Sequence, residues 1–259
     1  MLLAIDTSTN YACLALTDGD TLLAELNWRV GRQHGSETLD RIRALLRDQR
    51  VAMTQLDGIA VALGPGSFNG VRVAVAIAKS LSFALGAPLY GIPTLDMIAW
   101  GARLSPNPIW ALIDAGRGEV YAARFDPARA EASATLAWGP ELSDPGDETG
   151  GYNILTPETL ARRVDGAVTI TGEWRPAMQA ALADALGDRA RFTPPIETRR
   201  GAWLAELGAQ RAKRGGASEV AALEPLYLRR PNITKSSRMP SAPVADQPGG
   251  EESAHALQG

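Results

Sequence analysis

The chain has 259 residues, 45% hydrophobic and 21% charged, which is enough apolar material for one large domain or two small ones. A formal charge of −3 and a pI near 5.5 argue against a protein whose main work is gripping nucleic acid, since that work needs a basic surplus. The single cysteine, Cys13, excludes an internal disulfide framework and a cysteine zinc site, and the two histidines, His34 and His255, stand too far apart for a paired-histidine metal motif.

The opening MLLAIDTSTN carries no basic leader, and no apolar run reaches the ~20 residues of a membrane span. A soluble, cytoplasmic protein without membrane contact is expected. Three strands come first, Leu2–Ile5, Tyr11–Leu16 and Thr21–Leu26, with Asp18-Gly19-Asp20 as a hairpin turn. Ser36 reads as the N-cap of a helix to Asp48 with Leu39, Ile42, Leu45 and Leu46 on one stripe. Gly58–Leu63 is a short apolar strand, followed by Gly64-Pro65-Gly66-Ser67-Phe68-Asn69-Gly70 and a helix to about Leu85. Pro88–Ile92 reads as a strand, and Thr94 as the cap of a helix to about Leu104.

The second half begins as the first did. Leu3-Ala4-Ile5-Asp6 aligns with Ala111-Leu112-Ile113-Asp114, and at the same spacing Tyr11–Asp18 falls on Glu119–Asp126. Two matches in one register predict a duplicated β-β-β-α-β-α unit. Helices over Thr156–Val164, Arg175–Leu186 and Gly201–Lys213, a strand at Val168–Thr171 and an acidic, Gly-rich loop at 143–151 complete that half. From Pro231 the chain is rich in Pro, Gly and Ser and has no aromatic residue, so 231–259 is expected to be a disordered tail. The boundaries predicted are 1–104 for a first lobe and 105–230 for a second.

Three features bear on chemistry. The first is the Gly-rich turn between a strand and a helix N-terminus, an arrangement that offers backbone N–H groups to an anion. It lacks the Lys-Ser/Thr of a phosphate loop, and Asn69 stands where a dinucleotide fingerprint needs glycine. A tight turn that needs glycine for close packing explains it equally. The second is the pair of strand-end aspartates, Asp6 and Asp114, which resemble those of the actin-like ATPase superfamily. The glycine expected after the first is replaced in Asp6-Thr7-Ser8-Thr9, and arginine follows it in Asp114-Ala115-Gly116-Arg117. These aspartates serve either magnesium-nucleotide binding or simple capping of strand ends. The third is Val71–Leu81, apolar almost all round, which calls for burial on two sides: against a sheet and against a neighbouring helix of this chain or of a partner.

Several segments together resemble the TsaB (YeaZ) family. They are Ile5-Asp6-Thr7-Ser8-Thr9, His34, Gly64-Pro65-Gly66-Ser67-Phe68 with Gly70 and Arg72, Lys79, Asp114-Ala115 with Gly118-Glu119-Val120-Tyr121, and Pro225-Leu226-Tyr227-Leu228-Arg229. Asn69 replaces the family's usual threonine and Gly116 its usual arginine. The resemblance implies an α/β, two-lobed actin-like (ASKHA) fold of duplicated ribonuclease-H-like units. It implies a non-catalytic subunit in the synthesis of N6-threonylcarbamoyladenosine in tRNA next to the anticodon, supporting the catalytic paralogue TsaD, with the ATPase TsaE docking on the pair. Alone, such a chain would form a homodimer, and it would meet tRNA only through the complex.

On that basis Leu39, Ile42 and Leu46 of one helix and Val71, Val75 and Ala78 of the next are expected at the partner interface. Asp6, Thr7, Ser8, Gly64, Gly66, Ser67, Asp114 and Arg117 would line an anion or nucleotide cleft. No catalytic residue, metal or cofactor of its own is expected, although ATP or ADP with magnesium could lodge at the subunit joint. The competing reading is an active actin-like ATPase, threonylcarbamoyl transferase or glycopeptidase. A third gives direct tRNA contact to Arg199-Arg200, Arg211-Lys213-Arg214 and Arg229-Arg230.

Overall fold

Leu2–Asp6 (β1) is buried at every position, as a strand covered on both faces must be. It pairs antiparallel with Tyr11–Asp18 (β2), Asp6 opposite Cys13, and β2 turns back through Gly19-Asp20 into Thr21–Arg29 (β3). The helix His34–Asp48 (α1) leads to Gly58–Ala62 (β4), parallel to β1 with Leu2 opposite Gly58. Phe68–Leu85 (α2) then returns the chain to Leu89–Ile92 (β5) and on to Thr94–Gly101 (α3). The first sheet is ordered β3-β2-β1-β4-β5.

Ile109–Gly116 (β6), Glu119–Phe125 (β7) and Asn153–Leu155 (β8) repeat the opening. Pro157–Arg163 (α4), Val168–Glu173 (β9), Pro176–Leu186 (α5), Ala190–Phe192 (β10) and Gly201–Lys213 (α6) follow. The second sheet is ordered β8-β7-β6-β9-β10, strand for strand the order of the first. This is the duplicated α/β architecture of the actin-like, ribonuclease-H-like fold, and each half carries one further strand and helix beyond the unit predicted. The computed structural model describes residues 1–30, 34–128, 139–140, 150–194 and 201–229, with the side chains of 34–36 excepted. The predicted tail from Pro231 and most of the 143–151 loop lie outside the described residues.

Three cores separate the layers. Leu3, Ile5, Leu14, Ile59 and Val61 on the outer face of the first sheet pack under Ile42 and Leu46 of α1 and Val71, Val75 and Ala78 of α2. Trp110, Leu112, Val120 and Ile170 of the second sheet meet Leu160 of α4 and Met178 and Leu182 of α5 in the same way. Between the sheets lie α3 and α6. The strands of the two sheets fall on either side of residues 104–105, but these helices cross that line. The first-half helix α3 packs on β6 and β9, whereas α6 returns to β1, β2, β4 and β5.

Two helix starts differ from the sequence reading. Helix α1 begins at His34, so Ser36 lies inside it rather than at its cap. Pro93, not Thr94, precedes the first turn of α3, which ends at Gly101, and the Thr94 hydroxyl is committed elsewhere. The duplicated unit called for a third strand in the second half but gave β8 no range, and β10 was not anticipated. Three-residue edge strands leave too little hydrophobic pattern to stand out.

Helix α2 shows why its apolar run is so long. Ser67 caps its start by accepting the Gly70 N–H (3.4 Å), and Gly86 ends it in the left-handed conformation at φ 65°. Gly70, Val71, Ala74, Val75, Ile77, Ala78, Leu81 and Ser82 are buried, mostly against the first sheet. The opposite side is exposed at Arg72, Ala76, Ser80 and Phe83. By length and composition this helix could cross a membrane, but here its apolar stripe is spent on the core.

Candidate functional site

The Gly-rich turn and the two strand-end aspartates both lie at the carboxyl ends of central strands. In the first half the turn is closed. The Ser67 N–H donates to the Ser8 carbonyl (2.6 Å), and the Thr7 hydroxyl donates to the Gly70 carbonyl (2.6 Å). A side chain at Gly66 would put its Cβ 2.0 Å from the Ser8 oxygen, and one at Gly70 would put its Cβ 2.0 Å from the Thr7 oxygen. Glycine stands at both positions because the β1–β2 loop lies directly on the turn. Thr94 closes the other side: its hydroxyl accepts the Gly64 N–H (3.1 Å) and donates to Ser8 Oγ (3.1 Å), while its own N–H reaches the Gly64 carbonyl (2.7 Å).

Asp6 is buried beneath this contact. Its Oδ1 accepts the Ser8 N–H at 2.7 Å, and Asp6, Thr7 and Ser8 are fully shielded from solvent. Of the residues expected to line a cleft, the structure brings Asp6, Thr7, Ser8, Gly64, Gly66 and Ser67 into one packed joint, and Asp114 and Arg117 lie at the end of β6 in the second half. The residues do not fit a magnesium-nucleotide. The backbone that would embrace a phosphate already embraces the chain itself, and the carboxylate that would face the metal is sealed in.

The second half holds the same local geometry without that cover, with Asp114 partly exposed. Asp114 Oδ1 accepts the Gly116 N–H at 2.8 Å, and Arg175 grips both carboxylate oxygens at 2.6 and 3.3 Å. Burial pushes the Asp114 pKa up, but the Arg175 and Gly116 hydrogen bonds outweigh it and hold the carboxyl below its ordinary value. Arg117 (φ 58°) and Gly118 (φ 77°) form a two-residue hairpin turn whose central positions are both left-handed. This leaves the Arg117 side chain exposed.

Thr9 and Glu173 link the first loop to the end of β9 with a 2.5 Å hydrogen bond. Arg229 pairs with Glu119 and donates to the Ala115 carbonyl at 3.4 Å. Thr94, Glu173, Arg175 and Arg229 are the residues that sequence reasoning passed over as site-builders, since each acts on a partner distant in the chain.

Another polar cluster lies between the sheets. The Asp96 carboxylate of α3 accepts the Tyr152 hydroxyl at 2.5 Å. Burial pushes its pKa up to about 7 against the opposing pull of Tyr152 and Arg211. Burial raises Tyr152 well above the usual phenol value, and the Asp96 charge adds to that.

The interface residues read from sequence need correction. Ile42, Leu46, Val71, Val75 and Ala78 are buried in this chain's own outer core and are not available to a partner. Leu39 alone of the six reaches the surface, at 36% exposure. Phe83, on the outward face of α2, is 87% exposed and was not named from the sequence. The proposed tRNA-contacting charges are also partly spent. Arg211 donates to the Gly91 carbonyl (2.6 Å), Lys213 pairs with Asp20 (3.1 Å), and Arg229 pairs with Glu119. Arg199, Arg200, Arg230 and the His34 side chain lie outside the described residues. Among the described residues, no three His, Cys, Asp or Glu side chains converge to hold a metal ion.

Comparison with known proteins is consistent with this geometry. Residues 29–195 match the family model described as TsaD, tRNA N6-adenosine threonylcarbamoyltransferase. Two relatives carry the name tRNA threonylcarbamoyladenosine biosynthesis protein TsaB. The one from Bacillus subtilis is 37% identical over 120 residues, 46% of this chain and 52% of that protein. The one from Escherichia coli is 31% identical over 175 residues, 67% of this chain and 68% of that protein. The chain thus spans about half the length of the first relative and two-thirds of the second. Among solved structures, YeaZ from Pseudomonas aeruginosa superposes with a TM-score of 0.69 at 26% identity, covering 88% of this chain and 99% of that one.

Proposed function

Because the chain belongs to the TsaB (YeaZ) family of the actin-like superfamily, we propose that it is a non-catalytic, cytoplasmic subunit of the machinery that makes N6-threonylcarbamoyladenosine in tRNA. The observation that carries this reading is the filled glycine turn. The strand-end loop Asp6-Thr7-Ser8, which resembles a phosphate loop of an actin-like ATPase, is packed here on the Gly66–Gly70 turn, so the first half keeps the shape of the fold with that loop closed. What such a chain contributes is surface. Its catalytic partner is the TsaD paralogue, which shares the duplicated fold, with TsaE joining the pair and tRNA met within the assembly. A homodimer through the same face is the form expected alone.

The outward side of α1 and α2 supports the pairing. Leu39, Ala76, Ser80 and Phe83 are exposed there, and a bulky apolar ring between small residues suits helix-to-helix docking. The test mixes the purified chain with TsaD and weighs the product. Phe83→Glu should leave thermal melting within about 0.5 kcal/mol of wild type, because its side chain touches solvent, yet abolish the complex. Val75→Glu should unfold the chain instead, since it puts a charge into the core. A complex of undiminished strength with Phe83→Glu overturns the assignment of this face, and no complex with the wild-type chain overturns the function.

A further inference from the structure

Beside the closed turn lies a surface feature that neither the fold nor the helix face accounts for. Phe68, the first residue of α2, and Tyr227, from the segment that follows α6, bring their rings together with centroids 5.1 Å apart and planes inclined at 32°. They remain 37% and 41% exposed. One turn along α2 the Arg72 guanidinium lies 5.1 Å from the Phe68 ring centroid, and it has no carboxylate partner among the described residues. Asn69, the next residue of α2 after Phe68, is exposed, its carboxamide likewise without a hydrogen-bond partner among the described residues.

The backbone under both rings is held. The Ser67 N–H is bonded to the Ser8 carbonyl and the Leu226 N–H to the Leu63 carbonyl (2.7 Å). Lys79 spans the carbonyls of Ala221 and Leu223 at 3.0 and 3.2 Å. Two aromatic rings from distant parts of the chain are therefore preorganised at the surface, so little ordering entropy is lost when something stacks on them.

We propose that Phe68, Tyr227, Arg72 and Asn69 form a stacking site for an unpaired nucleobase of RNA. This rests on the function proposed above and gives the chain its own contact with the tRNA loop. A nucleotide offers the flat π-face of its base to the rings, the polar edge of the base to the Asn69 carboxamide and its phosphodiester to the Arg72 guanidinium. A docked protein is the poorer fit. Exposed Ser67, Asn69 and Arg72 lie within one helical turn of Phe68, and exposed Glu224 stands three residues before Tyr227. Glu224, close enough to help raise the Tyr227 pKa, would turn a phosphate toward the Arg72 side.

The test titrates full-length chain at low salt into a fluorescently labelled anticodon stem–loop RNA. Phe68→Leu and Tyr227→Leu keep apolar bulk and remove the π-face, and each should weaken binding about 5- to 150-fold, the range of a stacked base. Arg72→Gln should lower the slope of log affinity against log salt by about one. Should the leucine variants melt below wild type, ultraviolet crosslinking of the wild-type chain decides: adducts at Phe68 or Tyr227 support the site, and adducts elsewhere or none overturn it. Equal affinity of wild type and Tyr227→Leu overturns it, as does equal binding of a hairpin with no unpaired loop bases. Displacement of the RNA by ATP would mean a free nucleotide is the ligand and would also overturn it. If Tyr227→Leu abolishes the TsaD complex while leaving RNA affinity unchanged, the rings are a protein contact and the inference fails while the proposed function stands.

Discussion

Asp6 and Asp114 occupy equivalent strand ends in two sheets of identical order, and each accepts the N–H of the residue two places on, at 2.7 and 2.8 Å. Their surroundings are opposite. The first is sealed under the Ser8–Ser67 and Thr7–Gly70 contacts, while the second is partly exposed and clasped by the exposed Arg175 at the start of α5. One inherited motif has become a structural joint in one half and stayed at the surface in the other. The difference arises because, among the described residues, a glycine turn packs on the strand-end loop of the first half and none packs on that of the second.

Four experiments test that contrast. The double variant Gly66→Ala/Gly70→Ala drives two side chains into backbone oxygens that cannot swing away, and each clash should cost about 3 kcal/mol. No folded chain is expected by circular dichroism, and a cooperative melt near wild type would mean the joint is loose.

The pH dependence comes next. Asp96 holds its proton in the folded chain up to about pH 7, whereas an exposed carboxyl loses it near 3.8. Between these values the native state binds the extra proton, so stability falls as pH rises, by about 4 kcal/mol in all. Asp114 runs the other way. Its lowered pKa contributes stability at neutral pH that is lost only as acid reaches it, below the ordinary carboxylate value. Urea denaturation should show stability declining from about pH 4 to 7 and levelling above that. Asp96→Asn should flatten that slope, and a flat wild-type profile would contradict the buried proton.

Asp6→Ala leaves the Ser8 N–H buried without its carboxylate, and about 2 kcal/mol should be lost in urea. Asp6→Asn should recover part of this, which a purely catalytic aspartate would have no reason to do. The smallest effect is expected at Gly116→Ala, where nothing lies within 4 Å and only the left-handed φ of 73° is at issue, about 1 kcal/mol. A larger loss there would mean the second strand end is as tightly packed as the first.

Much of the fold was legible because strands covered on both faces are continuously apolar. Leu2–Asp6 and Gly58–Ala62 needed no context to be recognised, and the repeated Ile-Asp endings revealed the duplication. The candidate site was half legible. The Asp6 loop and the glycine turn could be singled out, but glycine for phosphate approach and glycine for backbone approach look alike in a sequence. The interface residues went astray for a related reason. Helix α2 is so apolar that its buried stripe, Val71, Val75 and Ala78, could not be told from its outward face, where Phe83 stands.

Periodicity, strand-end aspartates and turn glycines are local properties, and they suffice for two α/β halves of one ancestry and for the family. Whether Asp6 would be sealed, which side of α2 would meet solvent, and that Tyr227 would lie on Phe68 depend on contacts between segments far apart in the chain. A residue's type sets what it can do. Burial and partner distance, which arise only once the layers pack, set which of those things it does.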